Sequence, residues 1–245
     1  MKDNFSRQAD IYAKYRPGYP KELFDFIIGH VTHCETAWDC ATGNGQTAKQ
    51  LSVYFKNVVA TDISQKQLDN AFPAQNITYL LQPEEQTDFA NDSFDLITIS
   101  QALHWFNFEK FYAEALRVAK PGAWLAAWMY SLLRISPVVD AIIEHYHFET
   151  LGNYWDKERK YVDADYATIP FPFTGIETPV FSITYYWTLE ELEGYFNTWS
   201  ALQKYIVAHN DSPVPVLIRQ VRPHWKNEKM KIIFPLHLRM GQVIK

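Results

Sequence analysis

Cysteine is scarce in this chain, and long apolar runs are missing. Cys34 and Cys40 are the only cysteines among 245 residues, so a disulfide scaffold is excluded and we expect a reduced, cytoplasmic protein. No run approaches membrane-spanning length, and the start lacks the apolar segment of a signal peptide, so we expect no membrane partner. Lysine and arginine form no block, and the net charge is −5. Nucleic acid is therefore not the expected partner, because phosphate binding requires a basic patch.

Two site patterns are missing as well. The glycine pattern of dinucleotide-binding folds, G-x-G-x-x-G, fails at both ends in its nearest register, Ala41-x-Gly43-x-x-Gln46. This failure argues against a NAD-dependent oxidoreductase. His145 and His147 would lie on different faces of a helix, and no metal-ligand pattern adjoins them. We therefore predict no metal site.

What the chain does contain is a strand, a turn of small residues and a helix in immediate succession. Residues 37–40 predict a short strand that carries an acid, Asp39, and residues 46–56 predict a helix with one apolar face. Such a unit forms the ligand-binding corner of an open α/β sheet, at the carboxyl ends of parallel strands. Gly43 and Gly45 lack a Cβ and let a ligand approach the backbone. Because glycine turns after strands are also common structural features, this signal needs a second one.

The second signal is an acid at the end of the next strand. Residues 57–62 predict an apolar strand that ends at Asp62, where a carboxylate can accept hydrogen bonds from both hydroxyls of a ribose. Ile63 could then pack on an adenine face. The alternative is that Asp62 and Ser64 only cap the following helix. Acids in two successive strands, in register with the turn, favour a cofactor-binding corner.

The turn Asp39-x-Ala41-x-Gly43-x-Gly45 resembles the D-x-G-x-G-x-G motif of class I S-adenosylmethionine-dependent methyltransferases, with Ala41 in place of the first glycine. Further segments resemble the trans-aconitate methyltransferase-like branch of small-molecule methyltransferases. They are F-x(3)-A-x(2)-Y-x(3)-R-P-x-Y-P over 5–20, S-F-D-L over 93–96, Q-A-L-H-W-F over 101–106, Y-W…R over 154–159 and T-W-S-A over 198–201.

This resemblance implies an α/β fold, a Rossmann-like seven-stranded methyltransferase sheet. Its strands are mostly parallel with the last one antiparallel, helices cover both faces, and a small lid covers the substrate. The whole chain, 1–245, would be one class I methyltransferase domain. Its parts would be an N-terminal arm (1–20), a cofactor-binding core (21–130), a substrate-covering insertion (131–179), and strands and helices that complete the sheet (180–245).

The resemblance also implies S-adenosylmethionine as the cofactor and S-adenosylhomocysteine as its product. Glu84 or Glu85 would adjoin the adenine, because Pro83 occupies the usual position of an acid; an exposed acidic loop is the alternative. The cofactor-binding residues implied are Asp39, Ala41, Gly43, Gly45, Asp62, Ile63, Glu84, Glu85, Ser100, Gln101, Tyr12 and Arg16.

On the acceptor side, the resemblance points to His104 as the catalytic residue. An imidazole can remove a proton or hydrogen-bond an acceptor oxygen near neutral pH, although a lone histidine at a helix start is more often structural. The substrate-binding residues implied are Tyr15, Trp105, Trp155, Arg159 and Trp199. An arginine is well suited to clamp a carboxylate.

The predicted function is methyl transfer to a small-molecule acceptor, onto a carboxylate or hydroxyl oxygen, by a monomer or homodimer. Two alternatives stay open: a protein that binds the cofactor without catalysis, and a methyltransferase that acts on a protein or a nucleic acid. All three would share the same cofactor corner, so turnover must separate them.

Three local predictions concern element boundaries. The helix after residue 107 should stop at Pro121-Gly122, with the fifth strand over 123–130. Thr188 and Glu191 have the spacing of a helix capping box. Pro235 lies in the last predicted strand and indicates an edge position or a bulge.

Overall fold

The structure is a computed structural model, in which Tyr15 and residues 17–245 are described. Tyr12 and Arg16, predicted to bind the cofactor, lie outside the described residues. The core is a single sheet. Its strands are β1 (Thr36–Cys40), β2 (Asn57–Asp62), β3 (Ile77–Leu81), β4 (Phe94–Ser100), β5 (Ala119–Tyr130), β6 (Thr174–Gly175), β7 (Phe181–Trp187) and β8 (Met230–Gln242).

The strand order is β3-β2-β1-β4-β5-β8-β6, and β7 also pairs with β8. Strands β1 to β5 are parallel to one another, whereas β8 runs antiparallel to β5, β6 and β7. The predicted methyltransferase sheet with an antiparallel last strand is therefore confirmed. The two-residue strand β6 is an addition that was not predicted. Because the order reverses beside β1, the carboxyl ends of β1 and β4 flank the crevice where such sheets bind ligands.

Helices surround this sheet. They are α1 (Lys21–Ile28), α2 (Gln46–Leu51), α3 (Gln65–Asp69), α4 (Phe108–Val118), α5 (Pro137–His145), α6 (Arg159–Asp163), α7 (Leu189–Phe196), α8 (Ser200–His209) and α9 (Val214–Val221). A π-helical turn, Tyr146–Thr150, continues α5, and single 3₁₀ turns occur at Leu103–Trp105, Gly152–Tyr154 and Arg222–His224. Among the described residues, none of the helices combines the length and apolar character needed to span a membrane.

The core consists of two apolar clusters. Ala37 packs in one cluster with Leu23 and Ile27 of α1, while the next residue of β1, Trp38, packs in the other with Phe111 of α4. Successive side chains of a strand point to opposite faces, so both faces of β1 are buried. This two-sided burial accounts for the nearly continuous apolar sequence of the parallel strands.

The boundary between α4 and β5 differs from the predicted one. The helix ends at Val118 and the strand begins at Ala119, so Pro121-Gly122 lies inside the strand and does not stop the helix. Ala119 pairs with Phe94, and the register then shifts before Leu96 pairs with Trp124. Extra residues in β5 therefore form an irregularity that absorbs the proline and the glycine.

The two remaining boundary predictions concern the capping box and Pro235. The capping box is confirmed, because the Thr188 hydroxyl accepts from the Glu191 backbone N–H and the Glu191 carboxylate accepts from the Thr188 N–H. The edge position of Pro235 is met locally, because among the described strands Pro235 has a ladder partner only in β7 and the β5–β8 ladder ends at Leu236. The Pro235 carbonyl accepts from the Ser131 N–H at 2.9 Å, just beyond the last β5–β8 pair, Tyr130–Leu236. The missing N–H thus faces the end of β5.

Candidate active site

The turn after β1 has a left-handed backbone at every second residue. Ala41, Gly43 and Gly45 have φ angles of 55°, 58° and 80°, a conformation that glycine adopts without strain and alanine does not. At Gly45 a Cβ would also lie 2.3 Å from the Tyr79 hydroxyl, so a side chain there would require the tyrosine to move. The spacing of the small residues therefore reflects one backbone geometry repeated three times.

Asp39, near the end of β1, stabilises this turn through hydrogen bonds. Its carboxylate is fully buried and accepts hydrogen bonds from the hydroxyls of Thr42, at 2.5 Å, and Thr98, at 2.8 Å. Burial raises the pKa of Asp39 to about 7, and the hydrogen bonds from Thr42, Thr98 and the Ala48 backbone only partly oppose this shift. The acid thus joins β1, β4 and the start of α2.

Asp62 connects the end of β2 to the same turn. One carboxylate oxygen accepts from the Gly43 N–H at 2.8 Å, and the other accepts from the Ser64 N–H at 2.9 Å. Ser64 itself makes no side-chain cap of α3. Each carboxylate oxygen can accept a second hydrogen bond, so Asp62 can serve a ligand while it holds the turn. Ile63, the next residue, is half-buried.

Glu84 and Glu85 have different environments. Glu84 is buried, and burial, followed by the carboxylates of Glu85 and Asp62, raises its pKa. Glu85 instead forms an ion pair with Lys110 at 3.3 Å. Of the two acids, Glu84 is the one placed next to Asp62 and the cofactor corner.

Two polar side chains follow at the end of β4. The Ser100 hydroxyl accepts from the Thr47 hydroxyl at 3.0 Å, which links β4 to α2. Gln101 has a φ angle of 57°, and its buried Nε2 has no hydrogen-bond acceptor within the described part of the chain. An unsatisfied buried amide is costly, so this donor is suited to a ligand.

His104 lies on the 3₁₀ turn that follows Gln101. Its Nδ1 is 2.7 Å from the Tyr166 hydroxyl, and both side chains are buried. Burial, and secondarily the charge of Arg159, lowers the pKa of His104 to about 3, so the imidazole is neutral at physiological pH. Tyr166 was not predicted. It lies in a segment of weak periodicity and belongs to none of the matched motifs.

A pocket opens beside His104. Its empty volume is about 710 Å³, part of which is continuous with solvent. Its walls are formed by Gln101, His104, Trp105, Tyr130, Ser131, Leu132, Trp155, Asp156, Arg159, Val162, Tyr195, Trp199 and Ser200. Five residues predicted from three separate segments on the acceptor side, His104, Trp105, Trp155, Arg159 and Trp199, therefore share one pocket. Tyr130 and Tyr195 were not predicted.

Arg159 is held at the pocket wall by two contacts. Its Nε donates to the Asp163 carboxylate at 3.0 Å, and its guanidinium carbon lies 4.7 Å from the centroid of the Trp155 ring. Asp163 also contacts Nε2 of the buried His147 at 3.2 Å. The Trp155 Nε1 donates to the His147 carbonyl at 3.0 Å. These contacts orient Trp155 and Arg159, two of the residues predicted to bind the substrate.

Helices α7 and α8 close the pocket from the other side. The ring centroids of Trp155 and Trp199 are 5.4 Å apart, and those of Trp199 and Tyr195 are 5.9 Å apart. Tyr15, in the predicted arm, packs against Gly194 of α7, where a Cβ would lie 2.6 Å from its ring. It is not among the residues that line this pocket.

Similarity to known proteins agrees with this fold. The family model for a methyltransferase domain matches residues 38–127, from β1 into β5. A candidate methyltransferase of Dictyostelium discoideum is 32% identical over 245 residues, which cover 96% of this chain and 93% of the relative.

Solved structures of methyltransferases are also similar to this chain. A candidate type II methyltransferase from Anaeromyxobacter dehalogenans is 33% identical, with a TM-score of 0.87 over 94% of this chain and 99% of that one. The phosphoethanolamine N-methyltransferase 2 of Haemonchus contortus, solved with phosphomonomethylethanolamine and S-adenosylhomocysteine, is 13% identical with a TM-score of 0.51. The match covers 98% of this chain and 58% of that chain, and it shows similarity of fold alone.

The fold and the corner at β1 define a Rossmann-like methyltransferase. The chain belongs to the methyltransferase-domain family, and it is a class I S-adenosylmethionine-dependent methyltransferase.

Proposed function

We propose that this enzyme transfers a methyl group to an oxygen atom, carboxylate or hydroxyl, of a small molecule bound in the pocket beside His104. The observation that carries the proposal is the position of that pocket. It begins at Gln101 and His104, directly after β4, and β4 adjoins the β1 turn in the sheet. The carboxyl ends of these two strands form the crevice in which open α/β sheets bind ligands.

The residues of the corner fit S-adenosylmethionine. The turn at Gly43 and Gly45 allows close approach to backbone, Asp62 offers a carboxylate for the ribose hydroxyls, and Gln101 has a buried donor with no acceptor in the described part of the chain. Ile63 and Glu84 would adjoin the adenine, and Ser100 would line the floor. Asp39 and Ala41 would act by shaping the turn. Contacts from Glu85, Tyr12 and Arg16 remain predictions.

When bound, the cofactor would supply an electrophilic methyl group: the acceptor oxygen forms the new bond with its lone pair, and the C–S bonding pair stays on sulfur to give S-adenosylhomocysteine. A hydroxyl acceptor would also release its proton to water, with which the pocket is continuous. The protein mainly supplies geometry and a desolvated site for such a reaction. His104 would bind the acceptor oxygen, and Arg159 would bind its charge. Trp105, Trp155 and Trp199 would enclose the remainder, with Tyr15 supporting α7.

The cofactor assignment is tested by calorimetric titration with S-adenosylmethionine and, in parallel, with NADH. We expect binding of the first alone. Asp62→Ala should weaken that binding by about 1 kcal/mol or more through the lost hydrogen bonds. Unchanged affinity of this variant would remove Asp62 from the site.

The catalytic assignment is tested by release of S-adenosylhomocysteine with a panel of small carboxylic acids and alcohols. His104→Ala should keep cofactor affinity and lose turnover. Cofactor binding without turnover for any acceptor would favour a non-catalytic binding protein. Turnover with a protein or nucleic acid alone would refute the small-molecule acceptor.

A further inference from the structure

The walls of the pocket carry very little charge for a site that binds a small polar molecule. Among the described residues that line it, Arg159 is the one cation at neutral pH, because His104 is neutral. Asp156 is the one acid, and it forms an ion pair with Lys204 at 2.6 Å. Arg159 is therefore the single positive group among the described residues that line the pocket, and Asp163 is its ion-pair partner.

Arg159 has a defined free end. Its Nε is used by Asp163, and one face of the guanidinium lies on Trp155. Among the described residues, no acceptor contacts its two terminal Nη groups. Two parallel N–H donors at the end of an arginine match the two oxygens of one carboxylate. The side chain is a quarter exposed, which leaves room for a ligand at that end.

Of the twelve other residues that line the pocket, seven are aromatic or aliphatic, and five are polar: Gln101, His104, Ser131, Asp156 and Ser200. Five rings, Trp105, Tyr130, Trp155, Tyr195 and Trp199, line the same space, with Leu132 and Val162 between them. Aromatic walls gain most from burying an apolar ring or chain. A second or third carboxylate against these rings would be desolvated without a cationic partner, which is costly.

We propose that the acceptor is a monoanion with an apolar body, whose single charge is bound by Arg159 and whose body packs against the tryptophans. This inference rests on the proposed function, because it identifies the substrate class of the same pocket. It also separates this enzyme from methyltransferases that act on polycarboxylates.

The test measures binding to the protein saturated with S-adenosylhomocysteine, so that cofactor binding is verified first and separately. The probes are 3-phenylpropanoate, the matched neutral alcohol 3-phenylpropan-1-ol, and propane-1,2,3-tricarboxylate. We expect the monoacid to bind at least about tenfold more tightly than the alcohol, as a charge-assisted contact predicts, and more tightly than the tricarboxylate.

Variants identify the residue responsible. Arg159→Gln should abolish the preference for the acid over the alcohol, and Arg159→Lys should retain part of it. Arg134→Gln is the matched control, because Arg134 is an exposed arginine that pairs with Glu144 outside the pocket; it should change nothing. S-adenosylhomocysteine affinity reports whether each variant is folded.

The outcomes separate the two claims. If the tricarboxylate binds as tightly as the monoacid, or if Arg159→Gln keeps the acid preference, the monoanion inference is wrong while the methyltransferase function stands. If the cofactor product binds and the monoacid does not bind at all, the inference also fails. If the cofactor product itself does not bind, the proposed function fails first.

Discussion

The Tyr166 hydroxyl is hydrogen-bonded to Nδ1 of His104 at 2.7 Å, in a contact that is fully buried on the tyrosine side. Burial raises the pKa of Tyr166, so the tyrosine keeps its proton and can donate it to the imidazole. We infer the tautomer in which Nδ1 accepts this proton and the other ring nitrogen, Nε2, carries the hydrogen. His104 therefore presents a donor to the pocket and is suited to hold an acceptor oxygen.

We expect Tyr166→Phe to lower kcat by about tenfold while leaving cofactor affinity unchanged, because it removes the hydroxyl that sets the His104 tautomer. Tyr166 is a positioning residue in this account, so a readout beyond activity is needed. Nitrogen-15 spectra of the imidazole should show a single Nε2–H tautomer in the unmodified protein and a mixture in the variant. Tyr112→Phe is the control, because the Tyr112 hydroxyl donates to the Pro170 carbonyl. An unaltered tautomer in Tyr166→Phe would contradict the assignment.

The titration of His104 gives a second prediction. Burial, and then the charge of Arg159, lowers its pKa to about 3, from an ordinary value near 6.5. The folded state therefore holds fewer protons on His104 than the unfolded state between these values. The stability from this group is fully present above pH 6.5 and is lost as the pH falls toward 3. The imidazole resonances of His104, assigned with His104→Gln, should stay constant from pH 5 to 8; a titration step near pH 6.5 would refute this.

Asp39 should contribute the opposite pH dependence. Burial raises its pKa to about 7 from 3.8, so the folded state holds the extra proton in this window. Its contribution to stability is greatest below pH 3.8 and is lost as the pH rises toward 7. The loss amounts to about 2 kcal/mol between pH 5 and 7. Asp39→Asn should remove this slope from the free energy of unfolding, measured by urea denaturation at several pH values. Parallel curves for the two proteins would show that Asp39 does not titrate there.

Much of the fold follows from strand patterns that are visible in the sequence. Burial on both faces makes β4 nearly continuously apolar, and alternation and turns locate β7 and β8. The exceptions are local. Pro121-Gly122 has the composition of a helix stop, yet β5 begins two residues earlier, because the irregular pairing with β4 accommodates both residues. Propensity is overridden there by tertiary pairing.

Some residues of the candidate site are also predictable from the sequence, and others are not. Motif matches select His104, Trp155 and Arg159, which the fold brings to one pocket, although their roles stay predictions. Tyr166 carries no such signal. It is 62 residues from His104 in sequence, and its left-handed φ of 61° depends on contacts such as the hydrogen bond from Arg239 to its carbonyl, 2.9 Å long. Partners of this kind are set by tertiary structure and cannot be read from spacing.

Ala41 provides a test of the turn geometry. With a φ angle of 55°, its Cβ is strained by about 1 kcal/mol or more relative to glycine. Ala41→Gly should therefore stabilise the protein by about 0.5–1 kcal/mol, after allowance for the greater freedom of the unfolded chain. Ala48→Gly, a few residues away in α2, should instead destabilise by about 1 kcal/mol. Urea denaturation of both variants is the measurement, and equal destabilisation would contradict the proposed strain at residue 41.

Gly45 is the position in the turn where two separate constraints coincide. A side chain there meets a φ angle of 80°, and its Cβ would lie 2.3 Å from the Tyr79 hydroxyl and 3.0 Å from the carbon that bears it. Gly45→Ala should therefore destabilise by about 2–4 kcal/mol, more than backbone strain alone.

A double-mutant cycle with Tyr79→Phe separates the two constraints. Removing the hydroxyl removes the closest contact but leaves the strained backbone, so Gly45→Ala should cost less in the Tyr79→Phe protein. We expect a coupling energy of about 1 kcal/mol between these neighbouring sites. The single variant Tyr79→Phe supplies the correction for the lost hydrogen bond to the Phe72 carbonyl. Additive effects would mean that the tyrosine moves aside freely and that the backbone angle alone makes glycine necessary at residue 45.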